Sequence, residues 1–284
     1  MQLPNNMDKH EGDFSASEFA IIILSCDKFH DVWMPLIFSF KKYWGDCPFE
    51  IFILSNYKKV VDPNIKNIYV GEDISWSQNL INALDKIPHK NVILWLDDVF
   101  ITDDVCTNRI LNDAKWFFDN EIDYLRLRST DSRLMASPKS YENIKEDAPY
   151  RTSIFATIWR KEVLSNLIVK DENPWQFELR GSERSKKYKR FYSVKSTRIR
   201  YIHAVEKGIW IRTAVKWIKN NNLPIDLEYR RQFSLTEHIF MTLAKLKGFF
   251  INILPSKSRG SILKLARSFY LWTGLRDETH YKNN

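Results

Sequence analysis

The chain has 284 residues, 44% of them hydrophobic and 14% aromatic, which is enough for a large core and too apolar for a disordered protein. Glycine is scarce, at 8, and neither a GxGxxG nor a Walker pattern occurs, so a glycine-rich phosphate loop is not expected. The net charge of +8 is uneven: residues 1–178 hold 20 Lys and Arg against 28 Asp and Glu, and residues 179–284 hold 23 against 7. A basic half of this kind calls for an anionic partner such as phosphates, nucleic acid or an anionic membrane surface. Cys26, Cys47 and Cys106 have no metal-ligand spacing and leave one thiol unpaired, as expected of buried thiols in a reducing compartment. The first 18 residues read as a polar tail, neither signal peptide nor anchor, and no apolar run of 18 residues occurs. These features predict a cytoplasmic protein.

Phe19 to Ser25 is a β-branched apolar run that predicts a buried strand stopping at Cys26-Asp27. Phe29 to Trp44 carries apolar residues at helical spacing, with Gly45 as its stop. Strands follow at Phe49–Leu54 and Asn67–Val70. Ser75-Trp-Ser-Gln78 fits a capping box, with Gln78 reaching back to open a helix through Leu80, Leu84 and Ile87. The run Asn91-Val-Ile-Leu-Trp-Leu96 has no polar alternation, which suits a strand buried on both faces, and it delivers Asp97 and Asp98 to the sheet edge. A helix with Ile110, Leu111, Ala114, Phe117 and Phe118 comes next, then a strand over residues 123–128 and a long polar loop from Ser129 to Tyr150. Ser153–Arg160 returns to the sheet, Glu162–Val169 forms a short helix, and residues 172–182 read as an aromatic-rich turn around Glu178. Strands at 191–194 and 198–205 lead through Lys207-Gly-Ile-Trp210 into a helix with Ala214, Val215 and Trp217. Alternation of strands and helices predicts βαβ units and a mixed, mainly parallel sheet. Beyond Leu223, Ser234-Leu-Thr-Glu237 is a second capping box, and Ser261–Leu271 reads as a basic amphipathic helix. That helix suits packing on the core or on its neighbour, or an anionic bilayer surface.

Two adjacent carboxylates repel each other unless a cation or a proton lies between them, which makes Asp97-Asp98 a candidate site for magnesium or manganese. The alternative is an acidic turn capping the following helix. Asp27 ends the first strand and could equally cap a helix. Ser77 opens a helix whose free N–H groups favour an anion, whereas Trp76 beside it reads also as core. Glu178, with Glu172 close by, is either a solvated glutamate beside a packed aromatic cluster of Pro174, Trp175 and Phe177 or a functional carboxylate. His203 lies in an alternating segment where a hydrogen-bonded core histidine is the alternative to a ligand. Lys207 beside Gly208 is a phosphate candidate, because glycine lets the backbone come close.

Taken in order, Ser25-Cys-Asp-Lys28, Asp73-Ile-Ser-Trp-Ser77, Trp95-Leu-Asp-Asp-Val-Phe100, Asn173-Pro-Trp-Gln-Phe-Glu178 and Lys207-Gly-Ile-Trp210 resemble bacterial GT-A-fold glycosyltransferases of surface-polysaccharide synthesis. The resemblance covers roughly residues 19–217. It implies a GT-A-like sheet flanked by helices and a metal-dependent, inverting transfer from a nucleotide-sugar to a glycan or lipid-linked glycan. It also implies a divalent cofactor (Mn2+ or Mg2+). By position the resemblance assigns Asp98 and His203 to the metal, Asp97 to the sugar or ribose, Asp27 to the base or ribose and Lys207 to the diphosphate, with Ser77 in the anion-favouring helix start of the donor site. It makes Glu178 the candidate catalytic base of the transfer, with Glu172 as the fallback, and Pro174, Trp175 and Phe177 a candidate stacking wall for sugar rings. The metal motif departs from the family's pattern, since Leu96-Asp97-Asp98 lacks an acid at its first position.

The expected organisation is a tail over 1–18, a catalytic domain over 19–222 and a basic helical region over 223–284. That last region suits peripheral attachment at the inner face of the plasma membrane. The competing reading is nucleic-acid binding through the basic half, where Arg184 to Arg190 is interleaved with Tyr188, Phe191 and Tyr192. No recognisable nucleic-acid module accompanies it, and nucleic acid is not the expected partner.

Overall fold

A computed structural model describes residues 13–129 and 140–239. In chain order the elements are β1 (Phe19–Leu24), α1 (His30–Tyr43), β2 (Glu50–Ser55), β3 (Ile65–Tyr69), α2 (Trp76–Lys86), β4 (Asn91–Leu96), β5 (Val99–Ile101), α3 (Thr107–Asp119), β6 (Tyr124–Arg126) and β7 (Tyr141–Asn143). They continue with β8 (Thr157–Arg160), α4 (Lys161–Leu167), α5 (Pro174–Arg184), β9 (Phe191–Val194), β10 (Tyr201–His203), β11 (Val205–Glu206), β12 (Ile209–Trp210) and α6 (Arg212–Asn220).

Eight strands make one sheet in the order β3-β2-β1-β4-β8-β6-β9-β7. The half built from β3, β2, β1 and β4 is parallel, and β8 enters antiparallel between β4 and β6. This is the expected mixed, mainly parallel sheet flanked by helices. β1 is buried along its whole length because both of its faces are covered. Phe19, Ile21 and Ile23 point into one core with Val32, Leu36 and Phe40 of α1 and with Ile110, Ala114 and Phe117 of α3. Ala20, Ile22 and Leu24 point into the other with Leu80, Ala83 and Leu84 of α2, Leu164 of α4 and Phe177 of α5.

Several local expectations change. Residues 174–184 are helix, not turn: Asn173 caps α5 by accepting from the Gln176 N–H at 2.8 Å, and Gln176 Oε1 accepts from the Asn173 N–H at 2.9 Å. The capping box at Ser75 is half made. Ser75 accepts from the Gln78 N–H, but the Gln78 side chain turns along the helix to Asn82 Oδ1 at 2.8 Å. Gly45 follows α1 without a left-handed turn; it is needed because a Cβ there would lie 3.0 Å from the Lys41 carbonyl oxygen. The strand expected over 198–205 is broken into β10, which pairs antiparallel with β5, and β11, which pairs with β12.

The chain divides into two compact units, the first ending at Arg230 and the second beginning at Arg231. In the second, Ser234 and Glu237 make the expected reciprocal cap: the Glu237 N–H donates to Ser234 Oγ at 3.2 Å, and the Ser234 N–H to Glu237 Oε2 at 2.8 Å. The amphipathic helix expected at Ser261–Leu271 lies outside the described residues. Among the described residues, no helix is long and apolar enough to cross a membrane.

Candidate active site at the carboxyl edge of the sheet

β1 has β2 on one side and β4 on the other, so the chain departs in opposite directions from the carboxyl ends of β1 and β4. A crevice forms outside such a switch point, where open α/β sheets bind their ligands. Leu24 of β1 is in register with Leu96 of β4, which brings the next residues on each strand, Ser25 and Asp97, together. The Ser25 hydroxyl donates to Asp97 Oδ2 at 2.5 Å and accepts from Trp33 Nε1 at 2.7 Å. Asp97 is thereby fixed at the carboxyl ends of β1 and β4, and Asp98 follows it in the turn between β4 and β5.

Both acids are costly as anions. Burial raises the Asp97 carboxyl well above the ordinary range and the neighbouring Asp98 charge adds to this; the Ser25 hydroxyl and Arg230 oppose the rise. Burial pushes Asp98 up to about 6, against the pull of a backbone N–H and of Arg230, with Glu206 adding to the rise. A bound cation would relieve both. Among the described residues no three His, Cys, Asp or Glu side chains converge as a metal cage. Two adjacent carboxylates suit instead a hard divalent ion that completes its shell from water and a bound phosphate.

The chain returns to this edge late. β10 pairs with β5 so that His203 lies opposite Val99, and the Ala204 N–H donates to the Asp98 carbonyl at 2.7 Å. His203 is exposed and is not a core histidine; its ring lies 6.0 Å from Phe155 and 5.5 Å from Tyr201. Lys207 and Gly208 form the turn between β11 and β12, with φ of 50° and 75°, the pattern of a two-residue hairpin turn. Gly208 therefore serves the turn, and Lys207 is exposed on it. Arg230 anchors this hairpin. Its Nη1 donates to the Gly208 carbonyl at 3.1 Å, its Nη2 to the Lys28 carbonyl at 3.0 Å, and its Nε and Nη2 grip Asp31 at 2.7 and 2.9 Å. The guanidinium also stacks on Phe29, 4.6 Å from the ring centre.

Asp27 stands at the switch point, but it is not a helix cap. Its carboxylate accepts the N–H groups of Asn56, Tyr57 and Lys58, with Lys58 shared between both oxygens, while its own N–H donates to Asn56 Oδ1. That takes up the acceptor capacity of a carboxylate, so Asp27 shapes the loop after β2. Ser77 requires a correction: it is fully buried, 3.3 Å from Ser75 Oγ, and cannot meet a ligand in this structure. Trp76 packs against Phe177 in the core, 5.6 Å between ring centres.

Glu178 lies on α5, with Oε1 accepting from the Ser153 hydroxyl at 3.0 Å and the Ile154 N–H at 3.1 Å. Residues 153–156 precede β8, whose antiparallel pairing with β4 sets them at the carboxyl edge, and Phe155 touches Trp95 and the His203 ring. Glu178 and the acid pair thus share one edge. Glu172 does not serve as a fallback base: it is buried and held in a two-pronged ion pair by Arg184, at 2.8 and 2.6 Å. Of the expected stacking wall, Phe177 is core, whereas Trp175 is half exposed with Nε1 3.3 Å from the Tyr150 hydroxyl. Trp33 and Arg230 are not among the candidates the sequence offers, and Ser25 enters there only within the Ser25-Cys-Asp-Lys28 motif, with no role of its own. Ser25 had a signal, since it directly follows the buried strand, but Arg230 had none, lying 199 residues from Asp31.

No protein-family profile matches the chain, and no curated protein matches it. Solved structures do. S. aureus TarS 1–349 in complex with UDP-GlcNAc is 14% identical over 67% of this chain and 59% of that one, with a TM-score of 0.46. The mannosyltransferase PcManGT from Pyrobaculum calidifontis, in complex with GDP-Man and Mn2+, is 13% identical over 70% and 59%, with a TM-score of 0.42. UTP-bound UGPase from Acinetobacter baumannii is 8% identical over 81% and 99%, with a TM-score of 0.45. The chain spans less than two thirds of the first two.

Proposed function

We propose that the protein transfers a sugar from a nucleotide-sugar donor to a hydroxyl of a glycan or lipid-linked glycan, with inversion at the anomeric carbon. The observation that carries this reading is the pair of desolvated carboxylates at the β1/β4 switch point, Asp97 tied to Ser25 and Asp98 pushed up to about 6. Such a pair suits a divalent ion far better than it suits solvent. Asp98 would hold a manganese or magnesium ion, with His203 across the β5–β10 pairing as its second ligand, and Asp97 would face the sugar or ribose. When bound, that ion neutralises the charge that builds on the departing diphosphate.

Glu178 is the base of this scheme. It takes the proton of the acceptor hydroxyl as that oxygen bonds to the anomeric carbon, while the bond from that carbon to the diphosphate breaks with its electrons leaving on phosphate. Ser153 and the Ile154 N–H bind one carboxylate oxygen and hold the side chain in place, with Oε2 left for the acceptor. Trp175 is the sugar-stacking candidate that remains, and Lys207 is the candidate cation for the outer phosphate. Release of nucleoside diphosphate from UDP-, GDP-, CDP- and TDP-sugars with manganese tests the scheme. Activity that survives Asp98→Ala would remove the metal assignment, and no release from any donor would remove the reading.

A further inference from the structure

Four other inward-facing arginines among the described residues have acceptors for their guanidinium groups. Arg151 donates to the carbonyls of Ile144, Ser185 and Tyr188, and Arg184, Arg198 and Arg230 grip Glu172, Asp113 and Asp31. Arg128 differs. Its Nη2 donates to the Ser153 hydroxyl at 3.1 Å, its Nε is shielded from solvent with no acceptor, and no carboxylate pairs with it among the described residues. A buried N–H without a partner is costly and rare in folded proteins, and on a cation it points to a missing anion.

Its location gives that anion a role. β6 is antiparallel to β8, which is antiparallel to β4, so β6 runs in the same direction as β4 and Arg128 emerges at the same carboxyl edge as Asp97. The Leu127 N–H still pairs with the Ala156 carbonyl at 2.8 Å, which holds the approach to Arg128 rigid. The Ser153 hydroxyl that accepts from Arg128 is the one that donates to Glu178 Oε1 at 3.0 Å. One hydroxyl therefore separates a guanidinium with no carboxylate partner among the described residues from the carboxylate assigned as base.

We propose that Arg128 and Ser153 form an oxyanion subsite that receives a carboxylate or phosphate carried by the acceptor, next to the hydroxyl that Glu178 deprotonates. The planar guanidinium matches either group through paired N–H donors. The acceptor is then an acidic or phosphorylated glycan, and Arg128 selects it against a neutral one. The assignment to the acceptor rests on the reading of Glu178 as the base.

The test follows the Arg128 Nε–H signal in the 15N-labelled full chain, identified by its loss in Arg128→Lys and by its displacement in Ser153→Ala. D-glucuronate, inorganic phosphate, D-glucose and UDP are added separately. Saturable shifts with glucuronate or phosphate and none with glucose are expected, and which of the two anions acts tells carboxylate from phosphate. A signal unmoved by both anions overturns the subsite. A signal that answers UDP alone puts Arg128 on the donor side and overturns the acceptor assignment. No turnover is involved, so failure of the sugar-transfer scheme would not by itself produce a negative result here.

Discussion

The Ser25 hydroxyl donates to Asp97 Oδ2 at 2.5 Å and accepts from Trp33 Nε1 at 2.7 Å, so one side chain ties the ends of the two central strands to helix α1. Ser25→Ala leaves the indole N–H and the Asp97 carboxylate each short of a partner. We expect a loss of about 1–3 kcal/mol in urea unfolding, the usual cost of stranding part-buried polar groups. Asp97 should also become harder to ionise, because the lost bond favoured its charged form. Unchanged stability would mean the relay is not formed.

Asp98 links function to an avoidable cost. Its folded pKa of about 6 lies above the ordinary 3.8, so the charged form is penalised in the fold. The sign follows: the penalty is absent below about pH 4, grows as pH rises, and is complete above about pH 6, where it reaches about 3 kcal/mol. In metal-free buffer Asp98→Asn should therefore be more stable than the parent at pH 7 and nearly equal at pH 4, read from melting temperatures. Its donor turnover should be lost at the same time.

Glu178 and Glu172 are six residues apart and should fail differently. Glu178→Gln can still accept from Ser153 and Ile154, so the fold and donor binding should survive while turnover falls about 10²–10⁴-fold, as for loss of a general base. Glu172→Gln neutralises a part-buried pair with Arg184 and should cost about 1–3 kcal/mol of stability. Turnover of the folded fraction should remain near that of the parent. A reversed pattern would exchange the two assignments.

Arg230 and Asp31 form a buried pair that fastens the Lys207-Gly208 turn to the loop after β1. Arg230→Met strands Asp31 and should cost about 3–5 kcal/mol, whereas Arg230→Met with Asp31→Leu should recover most of it. Arg230 also opposes the rise of both site carboxyls, so removing it should push Asp97 and Asp98 higher still. Chemical denaturation of the two single variants and the double variant checks the coupling.

Legibility in the sequence followed the range of the interactions. β1 and β4 could be read because unbroken apolar runs are what a strand covered on both faces requires, and Asp97-Asp98 was visible at the strand end. α5 carries its own start signal in Asn173, Pro174 and Gln176, but the aromatic cluster of Trp175 and Phe177 masks it, because it suits a turn as well as a helix. Ser77 shows the limit of cap patterns: they find a helix start but not which of its first residues faces the core. Glu172, Arg128 and Arg230 are defined by partners 12 to 199 residues away, and no local pattern encodes such contacts.

The central claim is that the acid pair at the switch point holds a nucleotide-sugar through a divalent ion. Thermal unfolding with UDP-, GDP-, CDP- and TDP-sugars, in manganese and in EDTA, tests it most directly, because a ligand that binds only the folded state stabilises it by about 2.7 kcal/mol at a hundred times its Kd. The account predicts that at least one donor raises the melting temperature in manganese, not in EDTA, and not in Asp98→Asn. Stabilisation that is equal in EDTA or in the variant, or none with any donor, would contradict it.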